Sequence, residues 1–134
     1  MLKLPASAEY GLLAAVHLAD MHASGDLAKA SEIAERRDIP LPYLERLLAQ
    51  MRASGLIESF RGPGGGHRLG REPGSVSVLD VLEALTGAAT VPQGGKLDFL
   101  WERCASAVKS AMDIPLSDLA AEVARSDEVD TYQI

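Results

Sequence analysis

The sequence predicts a mainly α-helical chain with one small β-hairpin. Apolar residues make up 47% of its 134 residues and aromatic residues only 4%, so its core is expected to be built from Leu, Ala, Val and Ile, which suits helices. Most segments place apolar residues at intervals of three and four, as one face of a helix requires. Between residues 56 and 71, two short strand-like segments instead flank a glycine-rich turn.

Residues 7–22 predict the first helix, and Ser7 is placed to cap its start. Apolar side chains cover most of its circumference, which is typical of a helix buried on two sides. One side is expected to face the core of this domain, and a partner chain is a candidate for covering the other.

Residues 29–53 predict two helices joined by a tight turn. The first covers about Lys29 to Arg36 and ends at Asp38-Ile39-Pro40, because a residue before proline is disfavoured in the helical conformation. The second begins near Pro42, since proline is tolerated in a first turn, and ends before Gly55. Its apolar stripe is Leu44, Leu47, Leu48 and Met51. The opposite face carries Tyr43, Glu45, Arg46, Gln50 and Arg52.

The segments LIESFR and HRLGR are the predicted strands, with GPGGG between them. A further helix is expected from about Ser77 to a stop at Gly87. Ser77 and Asp80 are spaced as in a capping box, in which each side chain accepts a hydrogen bond from the other residue's backbone N–H.

Residues 96–113 predict a long helix whose apolar residues lie close to a heptad spacing over about two heptads. Such a stripe can form either intramolecular core or a dimer interface. Residues 114–129 predict a short last helix capped by Ser117 and followed by a frayed acidic tail. The predicted organisation is therefore a unit of residues 1–87 and an appended segment of residues 88–134.

The excess of negative over positive charge lies in the second half of the chain. The formal net charge is −6, yet residues 1–75 hold 9 basic and 9 acidic side chains. Residues 29–71 hold 8 basic and 5 acidic ones. Because salt screens charges beyond about 10 Å, this local positive excess matters more for approach to nucleic acid than the global sum does.

Several classes of function are disfavoured. The single cysteine, Cys104, cannot form an internal disulfide, so a cytoplasmic protein is expected. Glu9 and His17 interrupt the apolar start, which argues against a secretory signal, and no run approaches the ~18 apolar residues of a membrane span. Neither the three histidines nor Cys104 forms a pattern typical of a metal site or a catalytic centre, so no metal, no cofactor and no enzyme activity are predicted.

The stretch RGPGGGHRLG, residues 61–70, has three interpretations: a phosphate-binding loop, a flexible linker or a turn between strands. It lacks the Gly-Lys-Ser/Thr of a phosphate loop, and no helix opens after it. The strand-like flanks favour the turn. Helix, turn, helix and hairpin in this order are the parts of a winged helix-turn-helix, which binds double-stranded DNA. The residues predicted to contact DNA are Tyr43, Glu45, Arg46, Gln50, Arg61, Gly64, His67 and Arg68. A winged helix that binds only proteins is the alternative.

Specific pieces of the sequence resemble a known family. These are EYGLLAAVHLA near the start, IAER at 33–36, PYLERLL at 42–48, SGLI at 54–57 and RGPGGG at 61–66. They resemble the winged helix-turn-helix transcription regulators of the IscR, NsrR and CymR type. The resemblance implies a homodimeric DNA-binding regulator, a repressor of a partly palindromic operator, responding to an effector that the sequence does not identify. It also implies a dimer seam formed by Leu97, Leu100, Trp101, Cys104, Val108 and Met112.

Two departures from the family pattern alter these expectations. Pro42 stands where many relatives have a serine, which puts the family's operator sequence in doubt for this chain. Cluster-binding relatives carry three cysteines before the dimer helix, whereas this chain has only Cys104, within the helix. No iron–sulphur cluster is therefore expected, although Glu9 lies near the place from which some relatives recruit an extra ligand. Redox sensing at Cys104 remains a separate hypothesis.

Overall fold

The computed structural model describes residues 6–86 and 94–132, and for residues 130–132 only the backbone. The predicted stop at Gly87 and most of the linker that follows it lie outside this range. The elements are α1 (Ala6–Met21), α2 (Ala30–Arg37), α3 (Leu41–Ala53), β1 (Ile57–Phe60), β2 (Gly66–Leu69), α4 (Val78–Thr86), α5 (Asp98–Ala111) and α6 (Leu116–Tyr132). Single 3-10 turns lie at His22–Ser24 and Pro73–Ser75. This confirms a mainly α-helical fold with one β-hairpin.

The hairpin pairs β1 and β2 antiparallel, from Ile57 opposite Leu69 to Phe60 opposite Gly66. Ile57 and Leu69 are buried at its base, whereas Phe60 at the tip end is exposed. The base of the hairpin is therefore anchored in the core, and its tip extends into solvent.

One hydrophobic core joins almost all the helices to the hairpin. The predicted stripe of α3 is confirmed, because Leu44, Leu47, Leu48 and Met51 are at most 2% exposed. A main cluster combines buried residues of these elements, namely Ala14, Ala15, Val16, Leu18, Ala28, Ile33, Ile39, Leu44, Leu48, Met51, Leu56, Ile57, Leu69, Val76, Val81, Leu116 and Ala120. At roughly 1.5–3 kcal/mol for each large side chain, this burial is the main term that stabilises the fold.

Helix α6 differs from its prediction in length and in role. It spans 17 residues and continues to Tyr132, so the expected frayed tail is helical at least that far. Ser117 lies inside the helix, not at its cap, just as Ser7 lies inside α1. Leu116 and Ala120 enter the main core beside α1, so the predicted boundary after residue 87 does not separate two cores. The second side of α1 is thus covered at least partly by its own chain.

The start of α4 is fixed by local and by long-range backbone bonds. The predicted capping box is confirmed: the Ser77 N–H donates to Asp80 Oδ2 at 2.9 Å, and the Asp80 N–H donates to Ser77 Oγ at 3.0 Å. The N–H of Leu116 donates to the Val76 carbonyl at 2.7 Å, and the Val78 N–H donates to the Ile114 carbonyl at 2.8 Å. These bonds attach the segment between α5 and α6 to the start of α4.

Helix α5 contributes no buried residue to the chain's own core. Phe99 is 70% exposed, Leu97 is 50% exposed, and Leu100, Trp101 and Val108 are 39–44% exposed. The helix therefore presents an apolar surface that the rest of the described chain leaves uncovered. Among the described residues, no helix combines the length and the hydropathy that crossing a membrane requires.

Candidate nucleic-acid interface

The turn between α2 and α3 sets the direction of α3. Asp38 is the C-cap of α2 and adopts a left-handed conformation with φ 53°. Its N–H donates a hydrogen bond to the Ala34 carbonyl. Pro40 is the N-cap of α3 and Pro42 lies in its first turn, where a missing N–H costs little. Ile39, between Asp38 and Pro40, is buried in the core. The burial of Ile39 therefore anchors the turn in the core, and the two prolines restrict the backbone at the start of α3.

The outward face of α3 is polar and open. Glu45, Arg46 and Gln50 are exposed, as expected for side chains opposite a buried stripe. Their carboxylate, guanidinium and amide groups are those that hydrogen-bond base edges in a major groove. The structure therefore brings three of the four predicted helix contacts onto one accessible surface.

Tyr43 takes a different position from the other three. Its ring is half-buried and meets the Tyr10 ring of α1 edge-on, with centroids 5.7 Å apart and an interplanar angle of 80°. The guanidinium carbon of Arg46 lies 4.8 Å from the Tyr43 ring centre. The ring therefore supports Arg46 through a cation–π contact while packing on α1.

The wing, defined as residues 56–71, places Arg61 at its outer end. Arg61 is exposed and follows β1 directly. The turn closes with the Gly65 N–H donating to the Gly62 carbonyl at 2.9 Å. Gly64 has φ 78°, which favours glycine, and a Cβ on Gly65 would lie 2.3 Å from the Phe60 carbonyl oxygen. Two glycines are thus required by the turn itself.

Arg68 forms its contacts with other residues of the wing. It pairs with Glu58, its direct partner across the strands, with Nη2 3.0 Å from Oε2. Its guanidinium carbon also lies 4.9 Å from the Phe60 ring centre. About half of its side chain stays exposed, so its charge is partly offset while its fork remains accessible.

His67 anchors the wing and does not project from it. Its N–H and carbonyl exchange backbone bonds of 2.8 and 2.9 Å with Ala28, in the segment before α2. Its Nδ1 lies 2.7 Å from Ser59 Oγ. Burial lowers the pKa of His67 below its usual value, and the positive charge of Arg52 lowers it further. The ring is therefore neutral at pH 7.

A crevice of about 290 Å³ separates α3 from the wing, and Glu45, Arg52, Ser59 and His67 line it. The sequence places Arg52 on the outer face of α3 but does not single it out as a DNA contact. Arg52 lies close to the wing because of the way the hairpin packs against α3. The periodicity of a single helix does not predict this packing.

The predicted dimer residues divide into two groups. Leu97, at the N-cap of α5, is exposed, and so are Leu100, Trp101, Cys104 and Val108 on the helix itself. Met112 is half-buried against a small cluster of its own chain, formed by Ala8, Val78 and Leu82. Phe99, which lies outside the predicted seam, is the most exposed of the large apolar side chains in the described ranges.

The residues do not fit an iron–sulphur cluster. Cys104 is the single cysteine of the sequence and lies exposed on α5. Within residues 6–86 and 94–132, no three His, Cys, Asp or Glu side chains come together in a way that could hold a metal ion. Cysteine thiolates are the usual ligands of such clusters, and one per chain is too few.

Residues 4–125 match a family model described as Rrf2, iron-dependent transcriptional regulator. The HTH-type transcriptional regulator IscR of Aliivibrio salmonicida is 33% identical over 133 residues, which cover 90% of this chain and 79% of that protein. IscR of Cereibacter sphaeroides is 42% identical over 85 residues, which cover 63% of this chain but only 55% of that protein.

Solved structures agree with this assignment. CymR, the global cysteine regulator of B. subtilis, is 33% identical with a TM-score of 0.77, over 91% of this chain and 98% of that one. IscR of T. potens is 32% identical with a TM-score of 0.78, over 91% and 88%. The chain belongs to the Rrf2 family of DNA-binding transcription regulators.

Proposed function

We propose that the chain is a homodimeric repressor that recognises a partly palindromic operator through α3 and the wing, without an iron–sulphur cluster. The observation that carries this proposal is the exposed polar surface of Glu45, Arg46 and Gln50 on α3, together with the exposed Arg61 at the wing tip. The same α3 buries its opposite face, so only this surface is free to enter a groove.

In this proposal α3 lies in the major groove, which is wide enough to admit a helix. Arg46, supported on the Tyr43 ring, donates two hydrogen bonds to a guanine. Glu45 accepts from a cytosine amino group, and Gln50 pairs with an adenine. Tyr43 acts mainly by holding Arg46, since its own ring is half-buried.

The wing supplies contacts beside the groove. Arg61 reaches phosphates or an adjacent minor groove, and Gly64 lets the backbone approach the duplex closely. Arg68 is accessible for a phosphate once it has left Glu58, while His67 holds the hairpin in place. Arg52, in the crevice between α3 and the wing, is added as a phosphate contact.

The proposed dimer forms through the exposed apolar face of α5. Leu100, Trp101 and Val108 are large side chains on this face that gain from burial, and α5 has no buried residue in the chain's own core. A two-fold interface would present two copies of α3 to half-sites about one helical turn, roughly 34–36 Å, or a multiple of it apart.

Repression in this proposal is occupancy of the operator, controlled by an effector still to be identified. The single exposed cysteine supports a regulator that does not depend on a cluster. The cytoplasm is the proposed place of action, and no enzyme activity is part of the proposal.

Selection from random duplex DNA, followed by sequencing of the bound fraction, tests the function. We expect an enriched, partly palindromic site whose affinity falls steeply with salt. Arg46→Ala should change the preferred base at one position of each half-site, whereas Arg125→Ala removes an equal charge outside α3 and the wing and should not. Absence of any enriched site would favour a protein-binding winged helix instead.

A further inference from the structure

The end of α2 carries a buried guanidinium shared by two other helices. Only 8% of the Arg37 side chain is exposed. Its Nη2 lies 3.4 Å from Asp20 Oδ2 on α1, and its Nη1 lies 3.4 Å from Asp127 Oδ2 on α6. We call these three residues the Arg37 clamp.

Burying a charged guanidinium removes its hydration, which costs free energy unless hydrogen bonds or opposite charges replace the lost water. The clamp supplies such partners. The Nε of Arg37 is buried and has no hydrogen-bond partner among the described residues, so the contacts with the two carboxylates carry the pairing of this side chain. Asp20 and Asp127 are 48% and 55% exposed, whereas the guanidinium is buried, so removing either carboxylate leaves a buried charge with one partner fewer. Arg37 therefore depends on α6 as well as on α1.

His17 on α1 lies close enough to feel the charge of Arg37. Burial lowers the pKa of His17, and the charges of Arg37 and then Arg36 lower it further, against smaller opposite effects of Asp20 and Glu32. His17 is therefore neutral at pH 7 and adds no second cation beside Arg37.

The position of the clamp connects it to α3. Arg37 is the last residue of α2, and the left-handed Asp38 that follows turns the chain into α3. Asp127 lies on α6, which follows α5 in the chain after residues 112–115. The N–H of Leu116, the first residue of α6, donates to the Val76 carbonyl just before α4. One ion pair thus ties the turn of the helix-turn-helix to the part of the chain that continues from the proposed dimer helix.

We propose that Arg37 is a positioning residue for DNA binding, which fixes the orientation of α3 relative to α5 by holding the end of α2 on α6. Arg37 makes no contact with DNA in this proposal. It acts by restricting how far the α2–α3 unit can rotate before the second half-site is engaged. The proposal rests on the proposed function, since it concerns the geometry of a dimer on an operator.

The test uses the full chain with Asp127→Asn, which keeps the shape of the side chain and removes its charge. Glu128→Gln is the matched control, because it makes the same charge change at the adjacent exposed position. Fluorescence anisotropy measures binding to the selected operator, to a single half-site and to operators with one base pair added or removed between half-sites. Sedimentation and circular dichroism follow dimer formation and helix content.

We expect Asp127→Asn to bind the full operator roughly 3- to 30-fold more weakly than Glu128→Gln, the range for coupling that acts through packed elements. Half-site binding should change little, and the penalty for altered spacing should shrink, because a looser α3 tolerates more positions. A role in folding alone would weaken full-site and half-site binding equally, and that result would overturn the proposal.

A double-mutant cycle assigns the effect to the clamp, since Asp127 has further interactions of its own. In an Arg37→Met background, Asp127→Asn should add no further loss of affinity for the full operator. Should Asp127→Asn unfold, Asp20→Asn with Asp26→Asn as its control repeats the comparison from α1. Equal affinities of Asp127→Asn and Glu128→Gln would contradict the proposal while leaving the proposed function intact. Failure of the unaltered chain to bind any duplex would contradict the proposed function itself.

Discussion

The guanidinium of Arg46 lies over the ring of Tyr43, 4.8 Å from its centre. Tyr43 is in turn wedged edge-on against Tyr10 of α1. This stack limits the rotamers that Arg46 can adopt, so less conformational entropy is lost when it binds a base. We therefore expect Arg46→Ala to weaken binding to the selected operator about 10- to 100-fold. Tyr43→Leu, which keeps the packing but removes the aromatic face, should lose a smaller part of that affinity in the same anisotropy assay.

Arg61 at the wing tip should act mainly through charge. Arg61→Ala is expected to lower affinity on all sequences alike and to reduce the slope of log K against log salt by about 1. Titrations of operator and unrelated duplex at four salt concentrations measure both effects. A loss confined to the operator, with an unchanged slope, would instead make Arg61 a base-specific contact.

Two half-buried histidines should make stability depend on pH. Burial lowers the pKa of both His67 and His17, so the unfolded chain binds more protons than the folded chain just below the usual value of 6.5. The free energy of unfolding should therefore be constant above that pH and fall as the pH drops through the interval down to the lowered values. Urea unfolding between pH 7.5 and 5.5 measures this.

Substitution of the histidines isolates their contribution to that dependence. His67→Asn retains a group that can hydrogen-bond Ser59, and it should flatten the dependence in part. The His17→Asn/His67→Asn double variant should flatten it further. A dependence that stays equally steep in the double variant would assign the effect to carboxylates instead.

The exposed face of α5 should control self-association. Trp101→Glu is expected to yield a monomer whose helix content is unchanged, because α5 contributes nothing to the core. Sedimentation equilibrium measures the change in mass. Trp101 is the sole tryptophan of the sequence, so its emission in the unaltered chain should also shift to longer wavelength on dilution. If the unaltered chain is monomeric at micromolar concentration, the proposed dimer is contradicted.

Leu116 tests whether α6 belongs to the same folding unit as the winged helix. It is fully buried among residues of the main core, so Leu116→Ala should lower the free energy of unfolding by about 2–5 kcal/mol in one cooperative transition. Val129→Ala removes an apolar side chain that is 53% exposed and serves as the control. A separate, early transition in Leu116→Ala would show that α6 unfolds on its own.

Features that depend on nearby residues could be predicted from the sequence. The stripe of α3, from Leu44 to Met51, follows from helical spacing, and the Ser77–Asp80 box is local. The pairing of Arg68 with Glu58 was not predicted, although it is equally local, because the glycine turn between the strands sets their register.

Features that depend on packing between distant segments could not be predicted. Arg37 meets Asp20 and Asp127 across 17 and 90 positions, and nothing in its own helix signals either contact. The anchoring of His67 by Ala28 and the burial of Leu116 are of the same kind. Each depends on where elements meet in three dimensions, which periodicity within a single element does not specify.

Hydroxyl-radical footprinting of the selected operator tests the central claim most directly. The unaltered chain should protect two patches on one face of the duplex, one helical turn or a multiple of it apart. Arg61→Ala should lose protection at the backbone beside each half-site, while Arg125→Ala should retain it. A single patch, or a footprint that neither Arg46→Ala nor Arg61→Ala alters, would contradict recognition by a dimer through α3 and the wing.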